Sequence, residues 1–292
     1  LDGRIDYMKA GKRELRATSA HRFKNLRIGQ GSIYSNSGHI LLKKQDRRAF
    51  GRVPPVVLSG PIALSCNRAS TSVYYHFAIE QLNRELLAKD MGLPTVTLPP
   101  LKSFWHEAQL RDTVGLTSQS VESAVLEEAW VFIDRARNAS FADRFDRLRA
   151  KTCKAKGKGD KLIYLKRGSK GAEKRDIQDE EAFEAALAKL GFETLEASNP
   201  DLDGLADTLS QARVTCTIEG SQAAHHFLYA PKGAALLTLM PADRFNHILK
   251  EMCDILDMPF GFVLGQVSGT QEYGYPIDKV EKVLNRIEAL AA

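Results

Sequence analysis

Three short stretches of the chain carry side chains suited to holding an anion. Lys166-Arg167 directly follows the apolar run Leu162–Leu165, and the basic character continues through Lys170 and Lys174 to Arg175. A guanidinium offers a planar fork of donors that matches the oxygens of a diphosphate, and its charge stabilises such a group as it departs. A lysine-rich solvated loop has the same composition, so the weight rests on the position just after a strand. The second stretch is Glu219-Gly220-Ser221-Gln222, a turn between Val214–Ile218 and a helix from Gln222 to Tyr229 that carries His225 and His226. Glycine lets the backbone approach a ligand closely, and unpaired amides at a helix start favour an anion. The third is Pro241–Asn246, where Arg244 or Asn246 can reach a ligand.

Proton transfer needs other residue types. His76 and Glu80 stand four apart on one helical face, with Asn83 continuing the polar stripe. Either His76 or Glu80 can act as a general base toward a hydroxyl, and Glu219 is a third carboxylate or imidazole of that kind. A plain histidine–glutamate pair on a helix surface shows the same spacing. Asp201-Leu202-Asp203 has the look of a metal-holding carboxylate pair, but it follows Asn199-Pro200 at a helix start, where Asp is a natural cap. No metal or other cofactor is expected. Cys66, Cys153, Cys216 and Cys253 form no C-x-x-C pair and read as small core residues.

Positioning these groups requires a particular order of elements. From Leu162 the pattern is strand, helix, strand, helix, strand, helix, strand: Leu162–Leu165, Asp179–Leu190, Phe192–Leu195, Leu202–Gln211, Val214–Ile218, Gln222–Tyr229 and Ala235–Leu239. That alternation is the signature of a parallel sheet wound with helices, which binds ligands outside the carboxyl ends of its strands. Helices are also expected at Arg244–Leu256 and Ile277–Leu290. The first half is less regular. Residues 1–65 read as short strands, such as Ile40-Leu41-Leu42 and Val56-Val57-Leu58, with long connections. A helix is expected over Ser72–Lys89, its apolar stripe being Tyr75, Ile79, Leu82 and Leu86. Strands follow at Val96–Leu98 and Ala129–Ile133, with a helix at Phe104–Val114 stopped by Gly115. The glycine–lysine stretch Lys151-to-Asp160 reads as a linker. The division is then an N-terminal lobe over 1–155, a C-terminal ligand-binding lobe over 156–275, and a terminal helix over 276–292 packing back.

The 292-residue length suits two lobes. No apolar run approaches the roughly 18 residues that a membrane-spanning helix needs, so a cytoplasmic location is the default. The chain opens at Leu1 rather than Met, which leaves a preceding signal or anchor open. Charge is unevenly spread: residues 1–52 hold thirteen Lys/Arg against four Asp/Glu, and 151–175 hold ten against two, while the rest is net acidic. Such regions suit phosphate, an anionic membrane surface or nucleic acid. Neither region interleaves aromatics with its charges, which weighs against a nucleic-acid-binding protein.

Read together, these stretches resemble family 61 glycosyltransferases, especially the bacterial capsule-type members, from about residue 70 to 245. Tyr74-Tyr75-His76-Phe77-Ala78-Ile79-Glu80 is similar to the family's Y-Y-H-F-x-x-E helix. Tyr164-Leu165-Lys166-Arg167 with Arg175-Asp176-Ile177 and Asp179-Glu180 resembles its strand, arginine and R-x-I-x-N-E pattern. Glu219-Gly220-Ser221 and Pro231-x-Gly233 resemble its H-G-A turn and P-x-G. Glu219 stands where the family has His, Ser221 where it has Ala, and His225 where Asn is common. The resemblance implies an α/β protein of two Rossmann-like lobes, GT-B-like, acting as an inverting, metal-independent transferase in surface-polysaccharide synthesis. The implied donor is a nucleotide sugar, commonly UDP-linked, and the acceptor a glycan or glycolipid. Lys166, Arg167, Arg175, Gly220, Ser221, Gln222 and His225 are then the expected donor-binding residues. His76, Glu80 and Glu219 are the expected catalytic ones. A catalytically silent nucleotide-sugar-binding lobe of a larger enzyme is the alternative.

Overall fold

The computed structural model describes residues 8, 16–29, 32–36, 38–41, 53–100, 104, 106–134, 138–168 and 175–291. The chain forms two compact units, one spanning Leu15–Leu148 and the other described from Arg149 onward.

The first unit contains, in chain order, β1 (Ser19–Gly29), β2 (Ser32–Ser35), β3 (Gly38–Leu41) and β4 (Val56–Leu64). A π-helical segment, His76–Gln81, runs straight into α1 (Leu82–Asp90). Then come β5 (Thr95–Thr97), α2 (Glu107–Val114), β6 (Gln119–Ser120), β7 (Ser123–Ile133) and α3 (Ala139–Thr152), whose last residues belong to the second unit. The sheet order is β3-β2-β1-β7-β4-β5-β6. Its first half is antiparallel, β1 pairing with β2 and β7, and its second half parallel, through β7, β4, β5 and β6. Alternate residues of the long strands, among them Leu26, Ile28, Ile62, Leu64, Ala124 and Leu126, build the core against Val96. Gly115 adopts the left-handed conformation (φ 64°) that closes α2, as its place in the sequence predicts.

The expected helix over Ser72–Lys89 is present, but its first half winds differently. The Leu82 amide reaches back five residues to the Phe77 carbonyl, the bond that defines a π-helix. Such segments are rare and concentrate at functional sites. Here it begins at His76 and spans the His-Phe-Ala-Ile-Glu part of the motif.

The second unit contains β8 (Lys161–Lys166), β9 (Asp176–Ile177), α4 (Glu180–Lys189), β10 (Phe192–Glu196), α5 (Leu202–Leu209) and β11 (Ala212–Ile218). It continues with α6 (Ala223–Tyr229), β12 (Ala235–Pro241), α7 (Ile248–Ile255), β13 (Phe260–Gly269), β14 (Glu272–Gly274) and α8 (Ile277–Ala291). Strands β10, β8, β11, β12 and β13 lie side by side, all parallel. The hairpin partner β14 and the short β9 complete one edge. β12 is buried at every residue and β11 at every residue but Arg213. Burial on both faces is what a near-continuous apolar strand signals. The α8 face Val280, Leu284 and Ile287 joins the core of this sheet with Leu237, Leu239 and Val263. Two sheets, mostly parallel strands and covering helices make the protein a mixed α/β, Rossmann-like structure.

Strands β13, β14 and β9 are additions to the order read from the sequence. No described helix is long and apolar enough to cross a membrane.

Candidate functional site

Strand order fixes where a ligand can sit. Numbered along the chain, the five parallel strands lie 2-1-3-4-5, the flavodoxin-like order. The chain winds one way from β8 to β10 and the other way onward from β11, so the crevice opens between the carboxyl ends of β8 and β11. Arg167 directly follows β8, and Glu219-Gly220 directly follow β11. Tyr164 pairs with Cys216, and Thr217 Oγ1 donates to the Leu165 carbonyl at 2.7 Å. Two residues further, this register sets Arg167 level with Glu219.

The turn after β11 is tightly built. Arg175 Nη1 donates to the Glu219 carbonyl at 2.7 Å and lies 3.2 Å from Glu219 Oε2, off the axis of a hydrogen bond. Gln222 Nε2 donates back to Thr217 Oγ1 at 3.1 Å and to the Ile218 carbonyl. A Cβ on Gly220 would stand 2.5 Å from Gln222 Oε1 and 2.9 Å from Arg175 Nη1. Only glycine leaves both side chains where they are. The first amides of α6 are already engaged, Ala223, Ala224 and His225 donating to the carbonyls of Gly220, Ser221 and Gln222. The donors that remain are in the turn: among the described residues the amides of Gly220, Ser221 and Gln222 have no acceptor. The unengaged amides therefore lie in the turn, one step before the helix start.

The other sequence-predicted residues of this unit divide. Lys166 Nζ contacts Glu184 and lies 3.5 Å from Glu180, both on α4, and these carboxylates, Glu184 foremost, raise its pKa. Its charge is balanced locally. His225 is buried and stacks on Tyr229 with ring centroids 5.9 Å apart. His226 is fully buried, its Nδ1 2.9 Å from Thr215 Oγ1. Burial, and then the nearby Arg149 charge, push its pKa down to about 3, so it is neutral. Asn246 folds its side chain onto the start of α7, accepting from the Ile248 amide at 3.2 Å. Asp201 caps α5, its Oδ1 accepting from the Gly204 amide at 2.9 Å. Lys170 and Lys174 lie outside the described residues. Among the described residues no three His, Cys, Asp or Glu side chains gather as metal ligands would.

Sequence reasoning missed the neighbours that β14 supplies. Tyr273 Oη donates to both carboxylate oxygens of Asp243, at 2.9 and 3.2 Å. Burial first, and then that bond, raise the Tyr273 pKa, while Arg244 and Arg175 lower it. The available signal was the alternation Glu272-Tyr273-Gly274-Tyr275 two residues beyond Gly269, a hairpin pattern.

At the opposite, amino ends of the strands lies a cavity of about 500 Å³, bordered by Lys158, Arg213, Lys232, Asp257 and Glu288. None of the expected donor-binding or catalytic residues lines it. The strand tips carry the case because open parallel sheets bind ligands there.

In the first unit, His76 Nδ1 lies 3.0 Å from Glu80 Oε1, off the ideal hydrogen-bond axis, and Glu80 Oε2 is 4.0 Å from Arg84 Nη1. This is no surface pair: the His76 side chain is 22% exposed and that of Glu80 10%. Arg84 is buried and donates from Nε to the Ser65 carbonyl at 2.6 Å. Asn83 leaves the stripe, turning inward to accept from Arg144 Nε at 2.7 Å. Buried Glu85 pairs with half-buried Arg111 nearby, at 2.6 Å.

The second unit is thus a Rossmann-like α/β structure with an arginine-backed glycine turn at the switch point of its parallel sheet. The family model for glycosyltransferase 61 matches residues 74–237, more than half of the chain. The chain therefore belongs to glycosyltransferase family 61, and by family it is a glycosyltransferase. The match begins at the π-helical motif and ends in β12. No curated protein matches the chain.

Proposed function

We propose that this glycosyltransferase moves a sugar, with inversion, from a nucleotide-sugar donor of the UDP type to a hydroxyl of a glycan or lipid-linked acceptor. We place the reaction in surface-polysaccharide synthesis on the cytoplasmic side, in a GT-B arrangement, with the second unit holding the donor. The observation that carries this reading is the Gly220 turn, with its unengaged amides and Arg175 backing, at the switch between β8 and β11.

In this scheme Arg167 and Arg175 face the diphosphate, and the amides of Gly220, Ser221 and Gln222 donate to its oxygens. The acceptor oxygen attacks the anomeric carbon opposite the diphosphate. The bond from that carbon to the phosphate oxygen breaks, and its electron pair leaves on the diphosphate. Guanidinium charge stabilises that group, so no metal ion enters the scheme. The acceptor proton passes to a general base. His76 fits that role, because Glu80 lies against its Nδ1 and leaves Nε2 to receive the proton. Glu219, paired with Arg175, stays on the donor side as a fixed anion that orients the arginine.

Titration calorimetry with UDP tests the reading. Arg167→Ala and Arg175→Ala should each weaken binding by about tenfold to a hundredfold, the range for a hydrogen bond to a charged group. Arg175→Lys, which keeps the charge but not the fork, should fall between. Folded alanine variants that bind UDP and turn over donor like the parent would end the assignment.

A further inference from the structure

The donor-site reading says where a diphosphate would lie but not what the rest of the nucleotide meets. Strand β12 lies beside β11, Leu239 paired with Ile218, and leaves the sheet at Pro241. Two residues later Asp243 is exposed, in the short turn Ala242–Arg244. An exposed aspartate ordinarily samples several rotamers. This one is held: the Tyr273 hydroxyl donates to Oδ1 at 2.9 Å and to Oδ2 at 3.2 Å. Tyr273 itself is fully buried, fixed by β14 between β13 and β9. A carboxylate has about four acceptor positions, and one phenol hydrogen fills only one of them. The others face solvent at the tip of the strand.

A second buried phenol follows β14. Tyr275 is 6% exposed, and its hydroxyl is out of solvent with no hydrogen-bond partner among the described residues. Its ring lies over Gly265, where a Cβ would stand 2.7 Å from the ring carbons, so the glycine fixes its height. Burial foremost, and then the neighbouring Tyr273, Cys216, Glu219 and Asp243, raise its pKa. A buried hydroxyl left without a partner is unfavourable, and an oxygen arriving in the crevice, from a ligand or its water, would relieve it.

Sequence spacing joins these observations to the glycine turn. β11, the Gly220 turn, α6 and β12 form one βαβ unit. In dinucleotide-binding units of that kind the turn takes the phosphates. An acid roughly 20 residues on, at the tip of the next strand, accepts from the ribose hydroxyls. Asp243 comes twenty-three residues after Gly220, at that tip.

We propose that Asp243, positioned by Tyr273, accepts the 2′- and 3′-hydroxyls of the donor's ribose, so that the site selects ribonucleoside over 2′-deoxyribonucleoside diphosphates. The proposal rests on the donor-site reading above and adds the nucleoside half of that ligand. It assigns no nucleobase. The selectivity comes from one charge-assisted hydrogen bond that a deoxyribose cannot make.

Calorimetric titration of the full chain with UDP, dUDP, GDP and dGDP tests it. Whichever base binds, the parent should prefer the ribose form by about tenfold, the lower end for a hydrogen bond to an exposed charged group. Asp243→Ala should lose that preference and bind both forms more weakly than the parent binds the deoxy form, because the 3′-hydroxyl loses its acceptor too. Tyr273→Phe keeps the carboxylate but frees it, and should give an intermediate preference. Asp243 is exposed, so its alanine variant should fold, which a melting curve checks. Equal affinities for ribose and deoxyribose in the parent, or an unchanged preference in Asp243→Ala, would overturn the proposal while leaving the diphosphate reading in place. If none of the four nucleotides binds the parent, the donor-site reading falls and this inference with it.

Discussion

Gly220→Ala offers a sharp test of the strand-tip site, because the structure separates its effect on folding from its effect on binding. The Gly220 backbone is outside the left-handed region, so alanine meets no intrinsic strain. The added methyl instead arrives 2.5 Å from Gln222 Oε1 and 2.9 Å from Arg175 Nη1, where ordinary contacts begin at 3.4 Å. Both neighbours are ends of long side chains and can give way. Gln222 must shift by roughly 1 Å, which weakens its bonds to Thr217 and Ile218, each a neutral hydrogen bond worth about 1 kcal/mol. Arg175 must shift by about half that, which lengthens its 2.7 Å bond to the Glu219 carbonyl. Neither bond is abolished, so unfolding free energy in urea should fall by only about 1–2 kcal/mol. Binding should suffer more: the arginine is turned aside and the methyl occupies the space a phosphate would approach. UDP affinity should drop by about tenfold or more. A variant that loses the expected stability and binds UDP as tightly as the parent would show that the turn is structural only.

Three further outcomes follow from His226, His76 and Glu80. His226 has a native pKa near 3 against an ordinary value of 6.5, so between those limits the unfolded chain binds a proton that the native fold refuses. Its stabilising contribution is complete above pH 6.5 and is lost as the pH falls, by about 1.4 kcal/mol per unit. Urea titrations from pH 7 to 4.5 should show that slope reduced in His226→Phe; an unchanged slope would place the titration elsewhere. His76→Gln should lower turnover by about a hundredfold or more with little change in stability, the loss expected for a general base. Glu80→Gln should lower both, because it strips a negative charge from beside buried Arg84, at a cost of about 3 kcal/mol. Unaltered turnover in His76→Gln would remove the base assignment.

The second sheet was legible because its strands state their burial in their composition. Ala235–Pro241 has no charged residue, and nothing but a doubly covered strand accommodates such a run bounded by Gly233 and Asp243. The buried runs of β8 and β11 were readable for the same reason, with ends moved by a residue or two, whereas β10, mostly exposed, was placed by the alternation of strands and helices around it. β13 and β14 were not. Their exposed residues Leu264 and Val267 blur the alternation, and Gly261, Gly265 and Gly269 read as loop. The structure gives two of these glycines packing reasons instead: Ile287 and Val283 press on Gly261, and Tyr275 on Gly265. The π-winding over His76–Gln81 is equally silent in the sequence. The apolar spacing of Tyr75, Ile79, Leu82 and Leu86 suits an α-helix just as well.

The site was legible where one residue acts through its backbone position, and opaque where side chains from distant segments meet. Gly220 could be placed from the strand that precedes it, and the structure adds the two side chains that make glycine necessary there. Arg175 is different. The sequence places it in a basic loop, forty-four residues ahead of its partner Glu219, and nothing local says which strand tip it will reach. The hydrogen bond to the Glu219 carbonyl answers that, and the Glu219 carboxylate, 3.2 Å from the same nitrogen, gives the position a reason to be acidic where the family has His. A histidine at that position would set a second donor beside the guanidinium, whereas a carboxylate holds the fork toward the turn. Glu219→His should therefore loosen Arg175 rather than restore a family-like site, since the arginine's orientation here depends on the charge opposite it.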